Sequence, residues 1–102
     1  MGTMYSPESL GATVLQPDGE AQPLVLPEHE MERLERLQEL VGGHLEVVAI
    51  RGGRYMVGCE TAKDLPHVIN RVATAIAHDN EAIQPGDYLA GTFVIVTHEA
   101  LA

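Results

Sequence analysis

The sequence predicts a single small α+β domain in which a mostly antiparallel sheet carries a helix packed on one face. Three observations support this fold class: two hairpin signals, two segments with helical periodicity, and a length of 102 residues, which suffices for one hydrophobic core. The predicted order of elements is ββαββαβ, with a flexible lead at residues 1–10 and the domain at residues 11–102. We expect the second helix to lie near an edge or an end of the sheet.

The first two strands flank a turn at Pro17-Asp18-Gly19. Proline presets φ for the first position of a type I turn, and glycine accepts the positive φ that closes a three-residue hairpin loop. Pro23 in the second strand lacks an N–H, so we expect this strand at a sheet edge.

Residues 28–41 have the clearest helical periodicity, and Gly42-Gly43 supplies a stop signal. An apolar stripe recurs at three-and-four spacing, and we expect it to face the sheet. The stripe consists of Met31, Leu34, Leu37 or Gln38, Leu40 and Val41.

Residues 44–60 predict a second hairpin around Arg51-Gly52-Gly53. A three-residue loop pairs Val48 with Met56 and separates two faces, whereas a two-residue loop scatters apolar side chains over both. We assign the wholly apolar face to the core: it holds Leu45, Val47, Ala49, Tyr55, Val57 and Cys59. The other face is half apolar: it holds Glu46, Val48, Ile50, Arg54, Met56 and Gly58, with His44 opposite Glu60.

The last third of the chain predicts a helix and a strand. Asp64-Leu65-Pro66 is expected to open the helix, which frays near residues 78–80. Gln84-Pro85-Gly86-Asp87 then predicts a turn into a strand at residues 88–96, whose apolar character on both sides indicates a central position.

Composition excludes several classes of protein. The chain has 15 acidic and 6 basic residues and a formal charge of −9, which argues against direct nucleic-acid binding. Its longest apolar runs, such as residues 93–96, are far shorter than the roughly 20 residues of a membrane span. The single cysteine, Cys59, is expected to be a small buried hydrophobe. We expect a cytoplasmic protein, with no metal site, no cofactor and no catalytic residues.

Two groups of polar residues are candidates for a binding site. The acidic face of the first helix holds Glu28, Glu32, Glu35 and Glu39, and it is interpreted either as a solvated face or as an electrostatic mimic. His44, Glu46 and Glu60 share one face of the second hairpin and suit acid/base work, a cation or simple hydration. The half-apolar surface around them also suits a partner or self-association. The full set of candidate binding residues is His44, Glu46, Val48, Met56, Glu60, Asn70 and Asp87.

Several short motifs carry a family resemblance. They are Val14-Leu15-Gln16-Pro17-Asp18-Gly19, the stretch from Leu37 to Val48, Glu60 with Lys63, Leu65-Pro66 with Asn70, Ala73 and Thr74, and Gly86-Asp87 with Gly91-Thr92. On these the chain resembles a family of small proteins of unknown function borne mainly by phages, plasmids and other mobile elements, number 3846 in the series of domains of unknown function. The resemblance implies a mobile-element origin and no reaction. The chain departs from the family at His44, where an aromatic is usual, and at Gly58-Cys59, where an asparagine is usual.

Three hypotheses follow. The first is a non-enzymatic binding or accessory protein that occupies a host or self protein surface, homo-oligomers included. The second is a DNA-mimicking inhibitor of a host nucleic-acid-binding enzyme, which predicts binding that weakens steeply with salt. The third is a small ligand-binding domain or enzyme that uses His44, Glu46 and Glu60, alone or together with Asn70 and Asp87.

Overall fold

The computed structural model describes residues 10–62 and 68–101, which form one five-stranded sheet and three helices. The elements in chain order are β1 (Gly11–Leu15), β2 (Ala21–Val25), α1 (Glu30–Val41), β3 (Leu45–Ile50), β4 (Arg54–Cys59), α2 (Arg71–Asp79), β5 (Phe93–Thr97) and α3 (His98–Leu101). Residues 1–9 of the predicted lead and the helix start predicted at residues 64–66 lie outside the described residues. Leu10, the last residue of that lead, is buried.

The strands lie in the order β2-β1-β5-β4-β3, and every neighbouring pair is antiparallel. The predicted fold class and the order ββαββαβ are therefore confirmed, and α3 adds a single turn after the last strand. The predicted central position of β5 and the predicted edge position of β2, which contains Pro23, are confirmed as well.

Both hairpins have the predicted three-residue loops. Gln16 donates its N–H to the carbonyl of Glu20 at 2.9 Å, and Gly19 between them has a φ of 96°. In the second hairpin Val48 pairs with Met56. The second loop contains two consecutive glycines with φ of 78° and 68°, a conformation that side-chain-bearing residues adopt at a cost.

The last strand begins later than predicted, at Phe93 instead of Tyr88. Gly91 has a φ of 80°, which a strand does not accept, and Ala90 forms an isolated bridge with Ile69 before the chain enters β5. Because Ile69 pairs in an extended conformation, it cannot belong to a helix, and α2 begins after it, at Arg71.

Helices cover both faces of the sheet. On the α1 face, Leu37 and Val41 join a core cluster that also contains Val57, Val94 and Val96. Full burial of each such side chain stabilises the folded state by about 1.5–3 kcal/mol relative to leaving it exposed. Because α1 packs mainly over β4 and β5, the outermost strand β3 keeps Val47 and Ala49 exposed. The prediction that these two residues belong to the core is wrong for that reason.

On the second face, α2 packs against the half-apolar side of the β3–β4 hairpin. Ala73 and Ala77 form a cluster with Met56 and Phe93, so α2 covers a face that the sequence left open. The helix also contacts β3, which agrees with its predicted place near a sheet edge. No helix among residues 10–62 and 68–101 is both long and apolar enough to cross a membrane.

The ring of Phe93 lies directly against the backbone of Gly58 in the neighbouring strand. A Cβ added to Gly58 would overlap with three carbon atoms of that ring, at distances that real Cβ atoms do not show. Phe93 is itself 1% exposed, so the ring has no free space to move into. Glycine is therefore required by the packing of β4 against β5 at this position.

We expect Gly58→Ala to lower the free energy of unfolding by about 2 kcal/mol, because it overpacks the core. Urea unfolding measures the change. Gly86→Ala is the matched control, since a Cβ there meets nothing within 4 Å and its φ is not positive. The control is expected to leave stability unchanged or to raise it by up to about 1 kcal/mol. Equal losses in the two variants would contradict the packing argument.

Candidate functional site

Three of the four residues assigned to the acidic face lie on one side of α1. Glu32, Glu35 and Glu39 are exposed, and their spacing places them on the side of the helix that faces away from the sheet. Glu28 is also exposed, but it precedes the first helical residue, Glu30. This face therefore presents several carboxylates to solvent on one rigid element.

The rotation of α1 differs from the prediction. Met31 and Leu34, assigned to the buried stripe, are 58% and 40% exposed, whereas Arg33 is 2% exposed. The physical reason is the set of hydrogen bonds that Arg33 makes. Its Nε donates to the carbonyl of Ala100 at 2.8 Å, and its Nη1 donates to the carbonyls of Pro27 at 3.2 Å and Glu28 at 2.7 Å. These bonds turn Arg33, with Leu37 and Val41, toward the interior.

The turned helix leaves an apolar groove along its flank. The groove has a volume of about 230 Å³, and its lining residues are Glu30, Met31, Leu34, Leu37, Leu45, Ala100 and Leu101. Val47, on the same face of β3 as Leu45, is 49% exposed. We call the four residues Met31, Leu34, Leu45 and Val47 the α1–β3 surface. Sequence reasoning missed this surface because it placed all four residues in the core.

The predicted polar trio lies at the open end of the β3–β4 hairpin. Glu60 donates its N–H to the carbonyl of His44 at 3.0 Å, which confirms that these residues are opposite each other. Glu46 is opposite Gly58, and the side chains of all three members are exposed. Among the described residues, no three or more His, Cys, Asp or Glu side chains form a group that could hold a metal ion.

Val48 and Met56, the apolar candidates on this side, are 8% and 0% exposed. They lie beneath α2 in the second core cluster. The helix therefore occupies the surface on which the sequence suggested a partner.

Asn70 and Asp87 hold backbone segments in place. Asn70 is fully buried at the N-cap of α2, where Oδ1 accepts from the N–H of Ala73 at 3.0 Å. Its Nδ2 donates to the carbonyls of Leu15 at 3.0 Å and Gly91 at 2.9 Å. The side chain thus ties α2 to β1 and to the entry of β5.

Asp87 closes the turn that begins at Gln84. Its N–H donates to the carbonyl of Gln84 at 2.9 Å, and its Oδ1 accepts from the N–H of Tyr88 at 2.8 Å. The carbonyl of Asp87 accepts a hydrogen bond of 2.9 Å from Nε2 of His78, which carries the proton because a carbonyl cannot donate. Asp87 is half-buried.

Cys59 is buried as predicted, and its Sγ lies 3.4 Å from Oγ1 of Thr61.

Arg33 was not predicted as a buried residue, although one signal for it exists. It precedes Leu37 by four residues, as Leu37 precedes Val41, so the three share one face of the helix.

Comparison with known proteins gives a family for the chain. No curated protein and no solved structure matches it. The family described as Domain of unknown function (DUF3846) matches residues 12–100, which is most of the sequence and agrees with the resemblance in its motifs. The chain therefore belongs to the DUF3846 family of domains of unknown function.

Proposed function

We propose that this domain is a non-enzymatic binding protein that acts through protein–protein contact, and that it makes this contact with the α1–β3 surface. The observation that carries the proposal is the exposure of Met31, Leu34 and Val47 on two adjacent elements. An apolar surface on rigid elements, bordered by polar residues, is typical of interaction sites.

The arrangement of the groove supports the same proposal. Its volume of about 230 Å³ is small, and its lining consists of apolar side chains apart from Glu30. Sites for small ligands are usually larger and contain several convergent polar groups. A groove of this kind accommodates one or two apolar side chains of a protein partner.

The wider role that we propose is that of an accessory factor of a mobile element, acting in the bacterial cytoplasm.

The acidic face of α1 supports a second candidate function, that of a DNA-mimicking inhibitor. Glu32, Glu35 and Glu39 are exposed on one side of the helix and could stand in for phosphate groups. The formal charge of −9 favours basic partners in the same way. The two candidates differ in the surface used and in their response to salt.

A capture experiment tests both candidates. The immobilised protein is incubated with bacterial lysate, and retained proteins are quantified by mass spectrometry at low and high salt. We expect a stoichiometric partner that resists high salt and whose retention falls at least about tenfold for Met31→Lys or Leu34→Lys. A buried apolar hot-spot residue contributes about 2 kcal/mol or more, and a loss of about 1.4 kcal/mol is already tenfold. Val25→Lys is the matched control, since Val25 is 67% exposed on β2.

Three results would change the conclusion. Retention that survives Met31→Lys and Leu34→Lys but is lost in the triple variant Glu32→Gln, Glu35→Gln, Glu39→Gln, with steep salt dependence, would favour the DNA mimic. Retention lost equally in the Val25→Lys control would contradict a specific surface. Capture of no partner by a protein that also fails to associate with itself would overturn the binding function.

A further inference from the structure

The two edges of the sheet differ in whether another strand can pair with them. At the β2 edge, the 16–20 pair is hydrogen-bonded, since Gln16 donates to the carbonyl of Glu20. Hydrogen-bonded and non-bonded pairs alternate along an antiparallel ladder, and Pro23 pairs with Thr13, three steps away from the bonded 16–20 pair. The 13–23 pair is therefore non-bonded, and the nitrogen of Pro23 points away from β1. A proline at an outward position removes a donor and is a common protection against strand addition.

The β3 edge has no such protection. Glu60 donates to the carbonyl of His44, so the even-numbered residues of β3 bond to β4. The N–H and C=O groups of Leu45, Val47 and Ala49 therefore point away from β4. Among the described residues no strand pairs with them, and β3 contains no Pro, Gly or Lys. An edge with these features is a template for strand addition.

The open edge and the α1–β3 surface are adjacent. The side chains of the outward-bonding residues Leu45, Val47 and Ala49 lie on the face that carries α1. Leu45 lines the apolar groove together with Met31 and Leu34 of α1. A strand added to β3 would thus form backbone hydrogen bonds and would also cover exposed apolar side chains.

We propose that the occupant of this edge is a second copy of the chain, joined through antiparallel β3–β3 pairing about a two-fold axis at Val47. This inference rests on the proposed function, because it names the partner of the α1–β3 surface. The two sheets become one continuous sheet across the dimer. Leu45 of one copy then lies opposite Ala49 of the other, and the apolar flanks of the two α1 helices face each other across the axis.

The charges of β3 are compatible with this register. Glu46 is the only charged residue in the strand. Pairing about Val47 places Glu46 of one copy opposite Val48 of the other, so that like charges are not directly opposed. The carboxylates of Glu32 and Glu39 are on the side of α1 opposite the buried Leu37 and point away from the interface. A two-fold axis also requires a self-complementary surface, which an antiparallel edge provides.

Sedimentation velocity and light scattering over a wide range of protein concentrations test the proposal. We expect the wild-type chain to show twice the mass of a single chain. Val47→Lys places a charge at the axis of each copy, and Ala49→Pro removes an outward donor without removing a bond to β4, so both variants are expected to be monomers. Val25→Lys on the protected β2 edge is the matched control and is expected to remain a dimer. Far-UV circular dichroism and thermal melting verify that each variant is folded.

A monomeric wild-type protein at every concentration would overturn this inference. A dimer that survives Val47→Lys but dissociates in Val25→Lys would also overturn it. If the wild type is a monomer while Met31→Lys still abolishes capture of another protein, the dimer is wrong and the proposed binding function stands. If the protein dimerises through β3 and captures nothing else, self-association is the only contact made by the α1–β3 surface.

Discussion

Asn70→Asp is expected to destabilise the domain at neutral pH by about 4 kcal/mol, and Asn70→Ala by about 3 kcal/mol. The alanine variant loses the helix N-cap, which contributes about 1 kcal/mol, and two side-chain hydrogen bonds to backbone carbonyls, which contribute about 0.5–1.5 kcal/mol each. Those carbonyls belong to Leu15 and Gly91, both bonded to Nδ2 of Asn70.

The aspartate variant retains the cap acceptor but changes the other half of the side chain. An oxygen replaces the amide nitrogen and faces the carbonyl oxygens of Leu15 and Gly91 within a fully buried site. Acceptor then meets acceptor, and the charge is desolvated. Protonation relieves part of this conflict, because a neutral carboxyl group donates one hydrogen bond.

This protonation gives the variant a characteristic pH dependence. Burial and the facing carbonyl oxygens raise the pKa of the introduced carboxyl group in the folded state above its unfolded value of about 3.9. The folded state therefore binds the proton more tightly than the unfolded state. As a result, the variant gains stability as pH falls toward the unfolded pKa and loses it as pH rises through the folded pKa. The loss in free energy of unfolding relative to wild type should become smaller in acid for Asn70→Asp, whereas for Asn70→Ala it should not change with pH.

Urea unfolding at several pH values measures these differences. Asn80→Asp is the control, because Asn80 is only half-buried at the other end of α2 and accepts from the N–H of Arg51. Its Nδ2 partner, the carbonyl of Ile76, also accepts from the N–H of Asn80, so this carbonyl keeps a donor in the variant. We expect a loss below about 1 kcal/mol for the control. A pH-independent deficit for Asn70→Asp would show that Asn70 is not enclosed as described.

The parts of the fold that could be predicted from sequence are those with local rules. The loop at Arg51-Gly52-Gly53 and the period-two pattern of apolar residues determine the β3–β4 register, because a slip by one residue exchanges the faces. The position of β5 follows from apolar residues on both of its sides. The acidic face of α1 follows from the spacing of Glu32, Glu35 and Glu39.

The parts that could not be predicted depend on partners far away in the chain. The rotation of α1 is determined by Arg33, whose hydrogen bond to Ala100 joins residues 67 positions apart. Backbone carbonyls leave no pattern in the sequence, so only its spacing from Leu37 and Val41 distinguished Arg33 from a solvent-facing arginine. Likewise, Val48 and Met56 formed a plausible binding face until α2 was placed over them.

These two differences have a common consequence for the candidate site. The half-apolar face of the second hairpin, which the sequence favoured for a partner, is covered by α2. The wholly apolar face is left partly open at β3, because α1 packs mainly over β4 and β5. The exposed apolar residues of the hairpin therefore belong to the face that was assigned to the core, and Val47 is the most exposed of its large apolar side chains.

Arg33 joins α1 to two other segments of the chain through its guanidinium group. Its acceptors are carbonyls in the β2–α1 connection, at Pro27 and Glu28, and in α3, at Ala100. A cation near the carbonyl end of a helix is favourable, and hydrogen bonds to a charged donor are stronger than neutral ones. The cost of removing this group is consequently much larger than for an arginine on the surface.

Arg33→Ala is expected to lower the free energy of unfolding by about 3 kcal/mol, because three carbonyls lose a donor and the long aliphatic stem leaves a void. Arg33→Lys should recover part of the loss, since an ammonium group keeps the charge but not the fork of donors. Arg36→Ala is the control: Arg36 is exposed on the same helix, so its loss should stay within about 0.5 kcal/mol. Urea unfolding gives the free energies, and hydrogen exchange of the α3 amides should accelerate in Arg33→Ala but not in Arg36→Ala. Equal stability of the two alanine variants would mean that α1 is not held in its rotation by Arg33, and the exposed flank of Met31 and Leu34 would then need another explanation.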